Sequence, residues 1–190
     1  LRSIPGLLTI RPADANEVVE AWRMILALRH EPVALILSRQ ACPTIDRTRF
    51  AAASGLRQGA YVLADAKLGK PDVILMATGS EVSLCLAAWE KLTAEGVAVR
   101  VVSMPCWELF ERQPEAVRDG VLPAHVLARV SVEQASVFGW ERYVGLGGAS
   151  IGMRNFGASA PLQELQQLFG FTVENVMDAA RQQLARARKA

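Results

Sequence analysis

Apolar runs of strand length alternate with segments of helical period along this chain, and that alternation limits its fold more than any other feature. Val73-Ile74-Leu75-Met76-Ala77, Val97 through Val102 and Val126 through Val132 are near-continuous apolar stretches. Such runs fit strands buried on both faces, as in a parallel sheet covered by helices. Between and after them lie helical patterns. Val82, Cys85, Leu86, Trp89 and Leu92 form one apolar stripe. Trp107, Leu109 and Phe110 open an irregular or short helical stretch reaching about Gly120, and Pro161 to Phe169 fits a helix. Thr172 is placed to cap a final helix carrying Val173, Val176, Met177, Ala180 and Leu184. This order predicts an α/β fold, a three-layer α/β/α sandwich whose sheet is mostly parallel with room for a mixed strand.

The first part of the chain repeats the pattern on a smaller scale. Leu7-Leu8-Thr9-Ile10 reads as a strand, Asp14 as an N-cap, and Val18, Trp22, Ile25 and Leu26 as a helix running to about Arg29. His30-Glu31-Pro32 ends that helix, since proline disfavours helix in the residue before it. Val33 through Leu37 then reads as a strand buried on both faces. Residues 1–45 are thus a partial βαβ segment of another α/β domain. Residues 46–71 mix Arg47, Arg49, Arg57, Lys67 and Lys70 with glycines and Pro71, and only Ala60-Tyr61-Val62-Leu63 resembles a strand. They are the expected linker, and residues 72–190 the second domain.

Composition excludes several classes. A chain of 190 residues, 51% hydrophobic and 21% charged, is an ordinary globular composition and no disordered tail. No apolar run approaches the ~18 residues of a membrane span. The net charge of +2 is spread out, with no basic block for nucleic acid. Arg181, Arg186, Arg188 and Lys189 fit the last turn of a helix, favouring the negative end of its dipole, or else an anion site. Cys42, Cys85 and Cys106 show neither a disulfide framework nor zinc spacing, which fits a reducing compartment. Cys85 lies on an apolar helical face; Cys42 and Cys106, near prolines at strand ends, are expected to be more exposed, and neither has a histidine nearby to activate it. The chain opens on Leu1 rather than Met, which predicts a piece of something longer.

Candidate chemistry concentrates at strand ends. Thr78-Gly79-Ser80-Glu81 has capping-box spacing where a strand hands over to a helix. Phosphates also bind at such turns, but a single glycine without a P-loop lysine is a weak signal, and Glu81 would repel an anion. Gly145 to Gly148 reads as a tight turn or, less readily, a phosphate loop. His30 and His125 adjoin prolines at element boundaries and build no metal site. Glu133 ends a buried strand, where it serves catalysis or a subunit contact, or else bonds a neighbouring loop. Arg39 is the strongest single candidate. It lies just past the carboxyl end of a strand, where α/β sheets bind ligands, flanked by Ser38 and Gln40. Its planar fork suits phosphate or carboxylate; the alternative is a surface or interface salt bridge.

Several segments, in order, resemble a known family. Ile4-Pro5-Gly6, Ile10-Arg11-Pro12-Ala13-Asp14-Ala15-Asn16-Glu17 and Ala34-Leu35-Ile36-Leu37-Ser38-Arg39-Gln40 resemble the end of the pyrimidine-binding domain of transketolase. Gly59-Ala60-Tyr61-Val62-Leu63 resembles its link to the C-terminal domain. Ala77-Thr78-Gly79-Ser80-Glu81-Val82, Arg100-Val101-Val102-Ser103-Met104-Pro105 and Gly170-Phe171-Thr172 resemble that domain itself. The Leu-Ser-Arg-Gln segment favours transketolase over deoxyxylulose-phosphate synthases and 2-oxoacid dehydrogenase β chains.

The resemblance implies a cytoplasmic, homodimeric transferase that moves a two-carbon ketol unit from a ketose donor to an aldose acceptor, both sugar phosphates. It also implies thiamine diphosphate and a divalent metal such as Mg, which the family binds in its N-terminal domain. The family's activating Glu and its substrate-binding histidines and Asp have counterparts only before Leu1. Arg39 alone carries over, as the residue that binds the substrate phosphate; no catalytic, cofactor-binding or metal residue does. The chain by itself is then expected to bind no cofactor and to be inactive, supplying Arg39 and dimer surface, with the rest on the same gene, on a separate chain or removed. The alternatives are a non-catalytic α/β assembly or anion-binding module, or part of another thiamine-dependent enzyme.

Overall fold

The computed structural model describes residues 1–67 and 69–189. Its amino-terminal segment forms β1 (Leu8–Ile10), α1 (Ala15–Ile25) and β2 (Val33–Leu35), and β1 and β2 pair in parallel with Ile10 opposite Leu35. Asp14 caps α1 as its position suggests: its backbone is extended and its carboxylate accepts the Glu17 N–H. Two details differ from expectation. The helix ends at Ile25 rather than near Arg29, because the chain tightens there into bonds from Ala27 N–H to the Met24 carbonyl and from Leu28 N–H to the Ile25 carbonyl. Nor is β2 buried on both faces: Val33–Leu35 is half-buried and Leu37 exposed. β1 packs against Ala21, Cys106 and Leu109, whereas β2 is the outer strand of a two-stranded sheet.

The second sheet has five strands: β3 (Tyr61–Ala64), β4 (Val73–Ala77), β5 (Val99–Ser103), β6 (Ala128–Ser136) and β7 (Ala149–Met153), in the order β3-β5-β4-β6-β7. All neighbours run parallel except β3, which is antiparallel to β5. The sheet is therefore mixed and mostly parallel. β4 sits at its centre, and all of its residues are buried, as its unbroken apolar sequence requires. Leu75 and Val73 face α2 (Val82–Ala94) and α7 (Val173–Ala187). Ile74 and Met76 face an aromatic layer of Trp107, Phe110, Trp140 and Tyr143. That layer comes from α3 (Trp107–Glu111), the residue preceding α5 (Glu141–Val144), and α5 itself; α4 (Glu115–Val121) adds Val121. The remaining helix, α6 (Leu162–Leu168), precedes Thr172, whose hydroxyl accepts the Asn175 N–H and caps α7.

Residues 46–71 hold more structure than their composition suggests: a 3-10 helix over Ala53–Gln58, then β3 with Tyr61, Leu63 and Ala64 buried. Gly59 makes this junction possible. Its φ is +84°, and a Cβ there would lie 2.2 Å from the Phe110 nitrogen. Cys106 is not exposed as its sequence neighbours suggested. It is fully buried among Leu8, Ile10 and Leu56, its thiol donating to Glu108 Oε2 at 3.2 Å. Among the described residues no helix is long and apolar enough to cross a membrane.

Candidate functional site

Three polar groups stand out on the amino-terminal segment, two of which join it to the larger sheet. The first is the loop after β2. The Ile36 N–H donates to the Ile10 carbonyl at 2.8 Å, the last bond of the small ladder. Residues 37–41 are then exposed, with Gln40 N–H on Ser38 Oγ at 3.0 Å. Ser38 thus braces the loop backbone. Arg39 makes no ion pair or hydrogen bond among the described residues.

The second cluster replaces the capping box expected at Thr78–Glu81. Thr78 makes no side-chain cap; its hydroxyl donates to the Arg11 carbonyl at 3.0 Å, and the Gly79 N–H donates to the same oxygen at 3.0 Å. The turn is a single 3-10 unit, Gly79–Glu81, with Gly79 at φ +61°, and a Cβ there would meet the Arg11 guanidinium carbon at 2.9 Å. That left-handed φ favours glycine, and the Arg11 guanidinium packs against the turn. The Arg11 Nη1 forms an ion pair with Glu81 Oε2 at 2.8 Å and donates to Glu133 Oε1 at 3.2 Å. Glu81 also accepts from Ser80 and from the Gln134 N–H. With the Gly79 amide engaged by Arg11 and a buried carboxylate beside it, this turn is not available to a phosphate.

Glu133 completes this cluster. The two Nη atoms of Arg2 grip its carboxylate at 2.7 and 2.8 Å, and Trp140 Nε1 donates to it at 2.8 Å. Arg2 lies 3.9 Å over the ring of Trp107. Two arginines and two buried glutamates thus form a balanced group, and Glu133, inside β6, ties the start of the chain to that strand.

The third cluster centres on Asp14. Its carboxylate accepts Glu17 N–H and Arg47 Nη2 on one oxygen and Ile45 N–H on the other, each at 2.9 Å. Glu17, fully buried, accepts the Tyr61 hydroxyl at 2.6 Å, Ser103 Oγ at 2.7 Å and the Ala13 N–H at 2.8 Å. Burial pushes its carboxyl above the usual range, against these bonds and the charge of Arg47. The sequence carried a signal for this: Asp14-Ala15-Asn16-Glu17 has the capping-box spacing, and here the box is realised, one residue displaced.

The other candidates lie apart. His30 and His125 are exposed. Gly145–Gly148 joins α5 to β7, so its amides do not open a helix, and Gly148 N–H closes a turn on the Gly145 carbonyl. This turn borders a cleft of about 550 Å³ with Leu127, Leu146 and Arg186, at the end of β6 opposite Glu133. Of the carboxyl-terminal cations, Arg181 pairs with Glu95 and Asp178, and Arg186 donates to the Gly147 carbonyl. Among the described residues no three of His, Cys, Asp and Glu gather for a metal ion.

A βαβ unit docked through charged pairs onto the carboxyl edge of a mixed, helix-covered sheet defines an α/β protein with two sheets. Residues 59–172 match the transketolase-like TK C-terminal domain, and residues 1–44 the transketolase pyrimidine-binding domain. The chain is 49% identical to the transketolase of Geobacillus stearothermophilus over 177 residues, 93% of this chain and 26% of that protein. It superposes on the transketolase of Leishmania mexicana with a TM-score of 0.90 at 44% identity, covering 98% of this chain and 26% of that one. A Pichia stipitis transketolase solved in complex with sedoheptulose 7-phosphate gives 0.89 at 35% identity, over 99% and 26%. The chain belongs to the transketolase family. It spans about a quarter of the length of the curated relatives it matches.

Proposed function

We propose that this chain is the carboxyl-terminal portion of a transketolase that transfers a two-carbon ketol unit between sugar phosphates, and that Arg39 binds the substrate phosphate. The observation that carries this reading is Arg39 itself. Its exposed guanidinium, without a partner among the described residues, stands past the carboxyl end of a parallel strand within Leu37-Ser38-Arg39-Gln40. That edge is where α/β sheets take ligands, and an arginine fork matches phosphate oxygens in charge and geometry. The sugar phosphate bound to the Pichia relative supports the substrate class.

On this reading residues 1–45 end the pyrimidine-binding domain and 72–190 form the C-terminal domain, with 46–71 between them contributing β3 to the C-terminal sheet. Thiamine diphosphate and a divalent metal such as Mg belong to the remainder of the enzyme. The residues here do not fit them: the turn at 78–81 is occupied by Arg11 and Glu81, and no metal-ligand group is gathered among the described residues. The chain's own part is to bind and orient substrate and to supply subunit surface, and alone it is inactive. The face of α1 presenting Val19, Trp22 and Leu26, each about half or more exposed, supports such a surface in a homodimer. The free thiols fit a cytoplasmic setting.

The test is Arg39→Ala in the complete enzyme. KM for phosphorylated donors and acceptors rises roughly tenfold or more, at ~1.4 kcal/mol per factor of ten. Turnover changes less, because a remote phosphate contact is shared by ground and transition states. Hydroxypyruvate, which has no phosphate, is the control. Equal loss on both kinds of substrate would make Arg39 structural.

A further inference from the structure

The loop that carries Arg39 has two footings. One is the Ile36–Ile10 bond already described. The other is Ile45, where the chain becomes buried again. There the first turn of α1 takes both backbone polar groups: Ile45 N–H donates to Asp14 Oδ2 at 2.9 Å, and Asn16 Nδ2 donates to the Ile45 carbonyl at 3.1 Å. Asn16 Nδ2 also reaches Asp14 Oδ2 at 3.1 Å, tying the two side chains together.

Capping α1 requires only one Asp14 oxygen and the Glu17 N–H. The second oxygen and the Asn16 amide serve the loop's second footing, and Arg47 Nη2 braces the capping oxygen at 2.9 Å. Arg47 is itself anchored on the larger sheet. Its Nη1 donates to Tyr61 Oη at 2.9 Å and to the Ala51 carbonyl at 2.9 Å. Tyr61, on β3, donates onward to Glu17, which Ser103 of β5 also holds. A continuous run of hydrogen bonds therefore connects two strands of the larger sheet to the base of the loop. Asp14, Glu17 and Ser103 are buried, so water competes little for these bonds.

We propose that Asp14 and Asn16, backed by Arg47 and Tyr61, are positioning residues that fix the loop over residues 37–44 and so hold Arg39 where it meets the substrate phosphate; this rests on the phosphate reading of Arg39. A supporting shell of this kind keeps a binding side chain within the narrow geometry its ligand needs.

Two variants of the complete transketolase test it, Asn16→Ala and Tyr61→Phe. Neither removes the cap of α1, and the second keeps the ring that fills the core. Each raises KM for phosphorylated substrates roughly three- to tenfold, as one or two lost hydrogen bonds allow. Kinetics with hydroxypyruvate stay within about twofold, and amide hydrogen exchange over residues 37–44 accelerates. If Arg39→Ala discriminates between the two substrate kinds and both positioning variants do not, the proposal is overturned and the phosphate reading stands. A lowered Tm with an unchanged KM pattern marks these residues as structural only, and also overturns it. If Arg39→Ala itself fails to discriminate, the phosphate reading falls and takes the substrate side of the proposal with it. Unchanged exchange over 37–44 refutes the clamp on its own.

Discussion

Replacing Glu133 with alanine tests how firmly the start of the chain is tied to the larger sheet. Glu133 is 2% exposed, accepts both Nη atoms of Arg2 within 2.8 Å, and accepts Arg11 and Trp140 as well. Removing one partner of a buried ion pair costs about 3–5 kcal/mol, because the other charge is left uncompensated. Two features place this case at the lower end. Arg11 keeps Glu81 at 2.8 Å, and the Arg2 side chain, 19% exposed, can recover some water. Against that, Trp140 Nε1 is left buried without an acceptor. We expect about 3 kcal/mol. Arg2→Ala removes the ion pair and the stacking on Trp107 but leaves Glu133 bonded to Arg11 and Trp140, so about 2 kcal/mol is expected. If the two residues act as a unit, the double variant loses about 3.5 kcal/mol, a coupling of about 1.5 kcal/mol. Urea unfolding of the four proteins measures this through the shift in midpoint at constant slope. Additivity within about 0.5 kcal/mol, or a Glu133→Ala loss below about 1 kcal/mol, refutes the reasoning.

Two further outcomes follow from buried titratable groups. Burial raises the Glu17 carboxyl above its usual range, so the folded chain holds that proton more tightly than the unfolded chain does. Its contribution to stability is then fully present below the ordinary carboxyl range and is lost as pH rises through the folded value; the wild-type chain should lose stability relative to Glu17→Gln over that rise, and a pH-independent difference in urea midpoint would contradict this. Burial pushes the Cys106 thiol up to about 12 and the Cys85 thiol up as well, whereas Cys42 is half-buried, so a thiol-specific reagent near pH 8 titrates Cys42 alone in the native chain and all three cysteines once it is unfolded. A second thiol reacting natively at the Cys42 rate would show that the core around Cys85 or Cys106 opens readily.

Much of the fold was legible because burial on both faces leaves a plain mark in the sequence. β4 is apolar at every position, and both helices flanking it on one side carry stripes at helical spacing. β3 was harder to read. Its neighbours in sequence are charged and glycine-rich, and its place in the sheet depends on pairing with β5, far along the chain. β2 misled in the opposite way. Its apolar residues indicate a strand that neighbouring structure ought to cover, and nothing in the local sequence shows that it is an outer strand here. Arg39 stood out as a candidate on one local fact, its position just beyond a strand. The Arg2–Arg11–Glu81–Glu133 group could not be assembled in advance, since Glu81 read as a helix cap and Glu133 as a strand-end residue, with no local signal that Arg2 and Arg11 pair with them. Only the tertiary structure brings the four together.

The docking of the first segment combines two kinds of contact that do different work. Leu8, Ile10, Ala21, Leu56 and Cys106 bury apolar surface between β1, α1 and the region around α3. Such burial favours association but tolerates small rotations, because it is non-directional. The polar contacts constrain orientation. Arg2 meets Glu133 through two parallel bonds, and the Arg11 carbonyl receives both Thr78 and Gly79. Bidentate and paired bonds weaken quickly when their geometry turns, so they admit a narrow range of docking angles. The Arg11 carbonyl immediately follows β1, and β2 is held in register against β1. The angle set at Arg11 is therefore passed to β2 and to the loop beyond it. The Asp14 cluster fixes the other end of that loop from β3 and β5. Under the phosphate reading, the larger sheet contributes to substrate recognition by fixing the loop that carries Arg39. Variants at Glu133 or Tyr61 should then alter the handling of phosphorylated substrates more than their distance from Arg39 in sequence would suggest.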